Sequence, residues 1–141
     1  MQEVMTFIHH HIVLNISLLA ILFALILLEF INQKRSAEQV SPAKLIQLMN
    51  HSNASVIDVR TPTGYADGHI IGALSMPLET LEANLKKFDK LRVNPIIIVC
   101  ANGLDSVRAA SILTKQHYNA RILAGGMKAW REAEMPVVKG K

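Results

Sequence analysis

The sequence predicts an α/β domain with a central parallel sheet flanked by helices, preceded by one transmembrane helix. From about residue 40 onwards, short runs of β-branched and other apolar residues alternate with helical patterns, which is typical of a parallel sheet. Before them, the run 12–31 reads IVLNISLLAILFALILLEFI and contains three polar residues. A helix of about 20 residues has the length that crosses the hydrocarbon core of a bilayer.

Two other interpretations of the apolar run fit the chain less well. A core helix that is apolar all round needs a larger domain around it than the roughly 110 residues that remain. A cleaved signal peptide carries Lys or Arg before a shorter apolar stretch, whereas the first Lys or Arg of this chain is Lys34, after the apolar run. We therefore expect an uncleaved anchor over residues 12–31, between an N-terminal tail (1–11) and a linker (32–39).

The distribution of charge predicts the orientation of this anchor. All 15 Lys and Arg residues follow the span, whereas the N-terminal tail carries Glu3. The positive-inside rule therefore places the domain in the cytoplasm and the tail outside, which suits a single-pass protein of a bacterial inner membrane. One unpaired cysteine agrees with a reducing compartment, and the net charge of +4 suits a surface near anionic lipids. The sequence contains no basic stripe interleaved with aromatics, which argues against nucleic-acid binding.

Three consecutive histidines, His9 to His11, precede the span. Three successive side chains on a helix cannot all face one ion, and no carboxylate or thiol lies nearby at ligand spacing. We expect neither a metal site nor a cofactor. A histidine cluster at the membrane edge is the preferred interpretation, and a short expression tag is the alternative.

The domain is expected to span residues 40–137, followed by a C-terminal tail (138–141). Strands are predicted at 55–59, 95–99 and 120–123, and helices at 42–49, 78–88, 106–117 and after Gly125-Gly126, with Ser41 and Pro42 as an N-cap and first-turn proline. The strand 95–99 is continuously apolar, as expected for a central strand that helices cover on both faces.

The only cysteine, Cys100, stands directly after this central strand, where the small-residue segment 101–106 begins. In α/β folds the carboxyl ends of strands carry chemistry, because backbone N–H groups and the helix dipole converge there on an anion. A lone cysteine cannot form an internal disulfide, so it either packs or reacts. Its place in the loop favours a reactive thiolate over an inert buried thiol.

Three motifs, all in family order, resemble a rhodanese-like (sulfurtransferase) domain, and the resemblance covers nearly everything from Val40 to Val137. The first is IDVR (57–60) with YADGHIIGA (65–73), which is similar to D-V-R and Y-x-x-G-H-I-x-G-A. The second is CANGLDS (100–106), which is similar to the C-x-x-G-x-R-S active-site loop. The third is GGMKAW (125–130), which is similar to G-G-x-x-A-W. A chance match to three motifs in the family's order is far less credible than a chance match to a single motif.

The resemblance implies that Cys100 accepts a sulfane sulfur, becomes a persulfide and hands that sulfur to a nucleophilic acceptor. Both the thiolate and the persulfide are anions, which loop amides and a helix N-terminus stabilise. Gly103 suits the tight curvature of the loop, and Ser106 is expected to cap the following helix. The expected substrate-binding residues are Ala101, Asn102, Gly103, Leu104, Asp105, Ser106 and Arg60. The implied partners are a sulfur donor and acceptor, each a small molecule or a protein persulfide or thiol, and a membrane protein.

The chain departs from the family pattern at Asp105, where the loop often carries Arg. An Arg attracts an anionic donor such as thiosulfate and favours the thiolate, whereas a carboxylate nearby opposes thiolate formation. Arg108, one helical turn further on, is expected to face solvent. We therefore expect a sulfurtransferase that is not optimised for thiosulfate and uses a neutral or protein persulfide donor.

The residues leave three other functions to compare with this one. The main alternative is a non-catalytic, membrane-tethered rhodanese-fold module that binds a protein partner; Asp105 favours it, and the retained Cys100 opposes it. A cysteine phosphatase needs a longer loop that ends in Arg to bind phosphate with two hydrogen bonds. A dithiol oxidoreductase would need a second thiol from a partner.

The remaining motif residues are expected to be structural. Asp58 and Arg60 are predicted to tie the end of their strand to neighbouring loops, although Arg60 also lies near enough to the site to contact an anion. His69 is predicted to be structural rather than a general base, and Tyr65 and Trp130 are predicted to belong to the core.

Overall fold

The computed structural model describes residues 6, 11–35 and 37–140; for residues 32–35 it describes the backbone alone. The chain divides into two compact units, Met1–Ser36 and Ala37–Lys141. Most of the expected N-terminal tail, including His9 and His10, lies outside the described residues. The linker residue Ser36 and the final residue of the C-terminal tail also lie outside them.

The first unit contains the helix α1, Ile12–Arg35. Its segment Ile12–Ile31 is long and apolar enough to cross a membrane, by length and composition. The polar hydroxyl of Ser17 donates to the carbonyl of Leu14 at 2.8 Å, so the helix itself satisfies this group. The helix continues for four residues beyond the apolar run, because residues 32–35 include no helix breaker.

The second unit is the α/β domain that the sequence predicts. Its elements are β1 (Gln39–Val40), α2 (Pro42–His51), β2 (Ser55–Asp58), α3 (Pro62–Ala66), β3 (Leu74–Ser75), α4 (Leu78–Leu81), a 3₁₀ helix (Glu82–Leu91), β4 (Ile96–Val99), α5 (Leu104–Lys115), β5 (Ala120–Leu123) and α6 (Gly126–Glu132). The strands pair in parallel in the order β1-β5-β4-β2-β3. The apolar strand β4 therefore occupies the centre of the sheet, as its sequence predicts.

The side chains of β4 alternate between two cores, one on each face of the sheet. Ile98 and the following Cys100 belong to the core that includes Ala109 of α5. Ile97 and Val99 belong to the core on the opposite face, with residues of α2 and α6. Because successive strand residues point to opposite faces, the Cys100 side chain lies on the face that α5 covers.

The boundaries of two helices differ from the prediction. The segment 78–88 is not one α-helix: α4 ends at Leu81 and continues as the 3₁₀ helix to Leu91. Leu81 and Phe88 are nevertheless both buried. Phe88 and Leu85 lie three residues apart, which is the spacing that shares a face of a 3₁₀ helix. The helix α5 begins two residues before the predicted start, since Gly103 adopts φ 99° and provides the turn that opens it.

The elements β1, α3 and β3 are absent from the sequence-based prediction. The two strands contain two residues each, and α3 contains five. Such short segments offer too few positions for a period of 2.0 or 3.6 residues to show. At α2, by contrast, the predicted cap is present, because the Ser41 hydroxyl accepts a hydrogen bond from the Lys44 N–H at 3.2 Å.

A polar cluster surrounds Tyr118 just before β5, at the amino edge of the sheet. The Tyr118 hydroxyl lies 3.0 Å from both the Leu85 carbonyl oxygen and Asp89 Oδ1. The Arg92 guanidinium lies 4.2 Å from the centre of the Tyr118 ring and donates to Asp89 Oδ1 at 3.0 Å. Burial, and then the hydrogen bond to Asp89, raise the pKa of Tyr118 above its usual value.

This raised pKa predicts an alkaline loss of stability. The folded domain holds the Tyr118 proton more tightly than the unfolded chain, so the contribution is complete below about pH 10 and is lost as the pH rises through the folded-state value. We expect Tyr118→Phe to flatten the fall of the unfolding free energy above about pH 10. Urea unfolding of the full-length chain in detergent measures this, since Trp130 is the only tryptophan and is buried in the domain.

The stability of the same variant at neutral pH distinguishes this effect from a general loss of packing. At neutral pH, Tyr118→Phe should lower the unfolding free energy by about 1 kcal/mol, as expected for the loss of a hydroxyl hydrogen bond. An alkaline slope equal to that of the wild type would contradict the assignment. Tyr65 retains its own alkaline contribution in this variant, because burial and then Asp58 raise its pKa as well.

Candidate functional site

The carboxyl ends of β2 and β4 lie side by side. The register pairs Asp58 with Val99, and the Val59 N–H continues the ladder by donating to the Val99 carbonyl at 2.9 Å. The segments that leave the sheet after these strands therefore begin next to each other. One of them starts at Cys100 and leads through residues 101–103 into α5.

The sulfur of Cys100 accepts a hydrogen bond from a loop amide. The Gly103 N–H lies at an N···Sγ distance of 2.9 Å. Gly103 is also the N-cap of α5 and has φ 99°, a left-handed conformation that glycine adopts without steric cost. The sulfur therefore lies at the amino end of a 12-residue helix, where N–H donors and the helix dipole stabilise negative charge.

The loop covers this sulfur. Cys100 is 1% exposed, whereas Ala101, Asn102 and Leu104 are exposed on the surface above it. The Asn102 side-chain oxygen accepts a hydrogen bond from the Leu104 N–H at 3.3 Å, which satisfies one of the first amides of α5. Within the loop, one side-chain hydrogen bond and one bond to the sulfur join residues 100–104.

Ser106 does not cap the helix, contrary to expectation. Because α5 begins at Leu104, the cap position falls on Gly103, and Ser106 lies within the first turn with its side chain fully buried. Its hydroxyl faces the sheet, 3.5 Å from the carbonyl oxygen of Ile98. At this place the Ser106 side chain packs α5 against β4, and its role in substrate binding stays a prediction.

Arg60 is held mainly by protein groups. Its Nε lies 2.9 Å from Asp58 Oδ1, and its Nη2 lies 2.6 Å from Asp58 Oδ2 and 2.8 Å from the Gly68 carbonyl. The side chains of Arg60 and Asp58 are 11% and 1% exposed. This pair ties the end of β2 to the turn at Gly68, which is the structural role that the sequence indicates. The same ion pair occupies much of the guanidinium that an anionic substrate would need.

A cavity of about 490 Å³ lies beside the start of α5. Its charged lining residues are Arg60, Arg108, Asp105, Glu79 and Glu82. Asp105 is exposed on the first turn of α5, and Arg108 is exposed one turn later, as expected. Since Arg60 is already paired with Asp58, the three other carboxylates give this cavity a negative balance that does not favour an anionic ligand.

The motif 65–73 forms a small structural unit. The His69 ring stacks on Tyr65 with a centroid distance of 3.7 Å, and its Nδ1 lies 2.9 Å from the Tyr65 carbonyl oxygen. The Tyr65 hydroxyl donates to the Ala73 carbonyl at 2.7 Å. His69 is buried in this arrangement, which agrees with a structural role rather than with general base catalysis.

The start of α6 contacts the loop directly, which the sequence analysis did not anticipate. The Met127 N–H donates to the Cys100 carbonyl at 2.8 Å, and the Lys128 N–H donates to the Ala101 carbonyl at 3.1 Å. The sequence predicts that a helix follows the Gly125-Gly126 pair. The only signal of a further role is the presence of this pair in a third motif beside the other two.

Comparison with known proteins agrees with this arrangement. Residues 41–133 match the model of the family described as Rhodanese-like domain. The chain belongs to the rhodanese-like domain family. The match covers every element of the domain from α2 to α6.

Rhodanese-like relatives resemble this chain over two different lengths. The uncharacterized protein YibN of Escherichia coli K12 is 29% identical over 143 residues, covering the full length of both chains. The thiosulfate sulfurtransferase GlpE of Shewanella oneidensis is 31% identical, over 70% of this chain and 96% of its own. A solved rhodanese-related protein of Thermoplasma volcanium has a TM-score of 0.67 at 26% identity, over 73% of this chain and 99% of its own. The rhodanese-like domain alone therefore makes up nearly all of the last two proteins.

Proposed function

We propose that this chain is a membrane-anchored sulfurtransferase that moves sulfane sulfur through a persulfide on Cys100. The observation that carries the proposal is the Gly103 N–H directed at the Cys100 sulfur at 2.9 Å. A donor in this place stabilises a sulfur anion, whereas a cysteine that only packs needs none. Relatives named as sulfurtransferases, in Shewanella oneidensis and in Allochromatium vinosum, support the class of reaction.

The transfer consists of two displacements at sulfur and needs no cofactor. The Cys100 thiolate attacks the terminal sulfur of a donor persulfide; the new S–S bond forms as the donor's S–S bond breaks, and the donor leaves as a thiolate. An acceptor thiolate then attacks the terminal sulfur of the Cys100 persulfide, and Cys100 leaves as a thiolate. Charge and electrons balance over the two steps, so no oxidant or reductant takes part.

The surroundings of Cys100 favour an uncharged or protein-bound donor over thiosulfate. Asp105, Glu79 and Glu82 line the cavity beside α5, and each repels a dianion. Cys100 is also 1% exposed, so a donor reaches the sulfur only when the loop residues above it shift. A protein donor that contacts the exposed loop supplies binding energy for this shift, which a small anion repelled by the same surface does not.

The helix α1 is proposed to anchor the domain in a bacterial inner membrane, with the amino terminus outside and the domain in the cytoplasm. The support is the apolar segment Ile12–Ile31 together with the position of all Lys and Arg residues after it. The full-length match to YibN shows that a protein of Escherichia coli shares the combined length of both units.

A second candidate function is a non-catalytic module that binds a protein partner at the membrane. The low exposure of Cys100 and the carboxylate of Asp105 favour it. The amide bonded to the sulfur opposes it. The two functions differ in whether Cys100 accepts sulfur at all.

Sulfur uptake distinguishes the two functions. We expect the full-length chain in detergent to gain one sulfur atom on incubation with the persulfide of N-acetylcysteine methyl ester, which carries no carboxylate, because the Gly103 amide stabilises the product anion. Mass spectrometry of the intact chain assigns the adduct, since Cys100 is the only cysteine. Cys100→Ser is the matched control and should gain none. A folded wild-type chain that takes no sulfur would support the binding module instead.

The charge at position 105 should control the use of thiosulfate. We expect Asp105→Arg to raise the rate of sulfur transfer from thiosulfate to cyanide by roughly tenfold, because the change replaces repulsion of the dianion with attraction. Glu132→Arg is the control, since it changes the net charge equally at an exposed residue outside the cavity lining. Equal rates in both variants would show that the local charge is not decisive.

The orientation has its own test in intact cells. In a Cys100→Ser background, a cysteine placed at Thr6 should react with a membrane-impermeant maleimide, because the tail is proposed to lie outside. In the wild-type chain, Cys100 should react with the same reagent only after the membrane is opened, because the domain is proposed to lie inside. Labelling of Cys100 in intact cells would reverse the proposed orientation.

A further inference from the structure

The first turn of α6 binds the loop through backbone carbonyls. The N–H groups of Met127 and Lys128 donate to the carbonyls of Cys100 and Ala101, at 2.8 and 3.1 Å. The first N–H groups of a helix have no partner within the helix, so they are free to make such bonds. The two carbonyls that begin the loop are therefore directed at α6.

This contact sets the direction of the loop's amides. In a planar trans peptide the C=O and the next N–H point in opposite directions. With the carbonyls of Cys100 and Ala101 held by α6, the N–H groups of Ala101 and Asn102 face away from that helix. The chain then turns at Gly103, whose N–H returns to the Cys100 sulfur. The shape of the sulfur-binding turn thus depends on two bonds to another helix.

Gly126 leaves no space for a side chain at this contact. A Cβ atom at this position would lie 2.4 Å from the Cys100 carbonyl oxygen and 3.0 Å from the carbonyl carbon and oxygen of Ala101. These atoms are backbone, so they cannot rotate out of the way as a flexible side chain does. The loop can approach α6 closely enough for both hydrogen bonds only because residue 126 is glycine.

We propose that Gly126 and the backbone N–H of Lys128 are positioning groups for the sulfur centre. They hold residues 100–103 in the shape that directs the Gly103 N–H at the Cys100 sulfur, although neither of them contacts the sulfur. This inference rests on the proposed function, in that it concerns the same reactive cysteine. According to this inference, the motif GGMKAW (125–130) directly affects the chemistry of the motif CANGLDS (100–106).

The first test removes one backbone donor and forces the loop away from α6. Lys128→Pro deletes the N–H bonded to Ala101 and places the ring Cδ where that hydrogen pointed, so the Ala101 carbonyl, 3.1 Å from the nitrogen, has to move. Lys128→Ala is the matched control, because both variants lose the exposed Lys128 side chain and its 3.9 Å ion pair with Glu132. Only the proline variant loses the bond to the loop.

The measurement is the rate of Cys100 alkylation by iodoacetamide as a function of pH, on the full-length chain in detergent. We expect the pH at which the rate is half-maximal to be roughly half a unit higher for Lys128→Pro than for Lys128→Ala, as the loss of one hydrogen bond to the loop implies. The position of the profile on the pH axis reports how well the sulfur anion is stabilised. A looser loop changes the maximal rate, which does not affect this position. A purely structural role would lower the urea midpoint of Trp130 fluorescence and leave the profile in place.

The second test uses two glycines with the same backbone cost. Gly126 has φ 59° and Gly72 has φ 76°, so alanine is strained at both, but nothing lies within 4 Å of a Cβ at Gly72. We expect Gly126→Ala to move the alkylation profile in the same direction as Lys128→Pro, and Gly72→Ala to leave it unchanged. If Gly126→Ala does not fold, the Lys128 pair decides the matter alone.

The proposal is overturned if Lys128→Pro and Lys128→Ala share one profile, or if a folded Gly126→Ala has the profile of Gly72→Ala. Failure of the proposed function is a separate result, because alkylation requires no sulfur donor. A wild-type chain that takes up no sulfur but shows the shifted profile in Lys128→Pro would refute the sulfurtransferase and retain the positioning role.

Discussion

The hydrogen bond between the Gly103 amide and the Cys100 sulfur is the interaction on which the rest of the site depends. It requires the chain to reverse within the three residues that follow Cys100, which glycine permits because φ 99° carries no steric penalty for it. It also requires a fixed starting point, which β4 provides at the centre of a five-stranded sheet with apolar cores on both faces. The turn is therefore supported from the sheet beneath it and from α6 beside it.

Two groups of charges and dipoles surround this bond: one favours a sulfur anion, and the other repels an anionic ligand. The amide and the start of α5 act on the sulfur at short range. Asp105, Glu79 and Glu82 line the neighbouring cavity, where they outnumber Arg108 and act on a ligand that enters it. The two effects coexist because the hydrogen bond acts on the sulfur at contact distance, whereas the charges that line the cavity act on its contents.

Much of this arrangement could be predicted from the sequence, because its signals are local. The continuous apolar run that became β4 predicted the central strand, and the position of Cys100 after it followed directly. Asp58 and Arg60 were correctly expected to tie the end of β2. Ser106 was misplaced because a serine near a predicted helix start indicates an N-cap, whereas the left-handed Gly103 takes that position and α5 begins at Leu104. The bonds from α6 to the loop join backbone groups more than 20 residues apart, so no local pattern of side chains encodes them.

The most direct test of the account is the state of the Gly103 amide itself, measured by hydrogen exchange in NMR spectra of the full-length chain in detergent. With the bond to sulfur in place, the account predicts that this amide exchanges slowly in the wild type. It predicts exchange at least several times faster in Cys100→Ala, which removes the acceptor, with no comparable change at the buried amides of β4. Equal exchange rates at Gly103 in the two proteins would contradict the central claim.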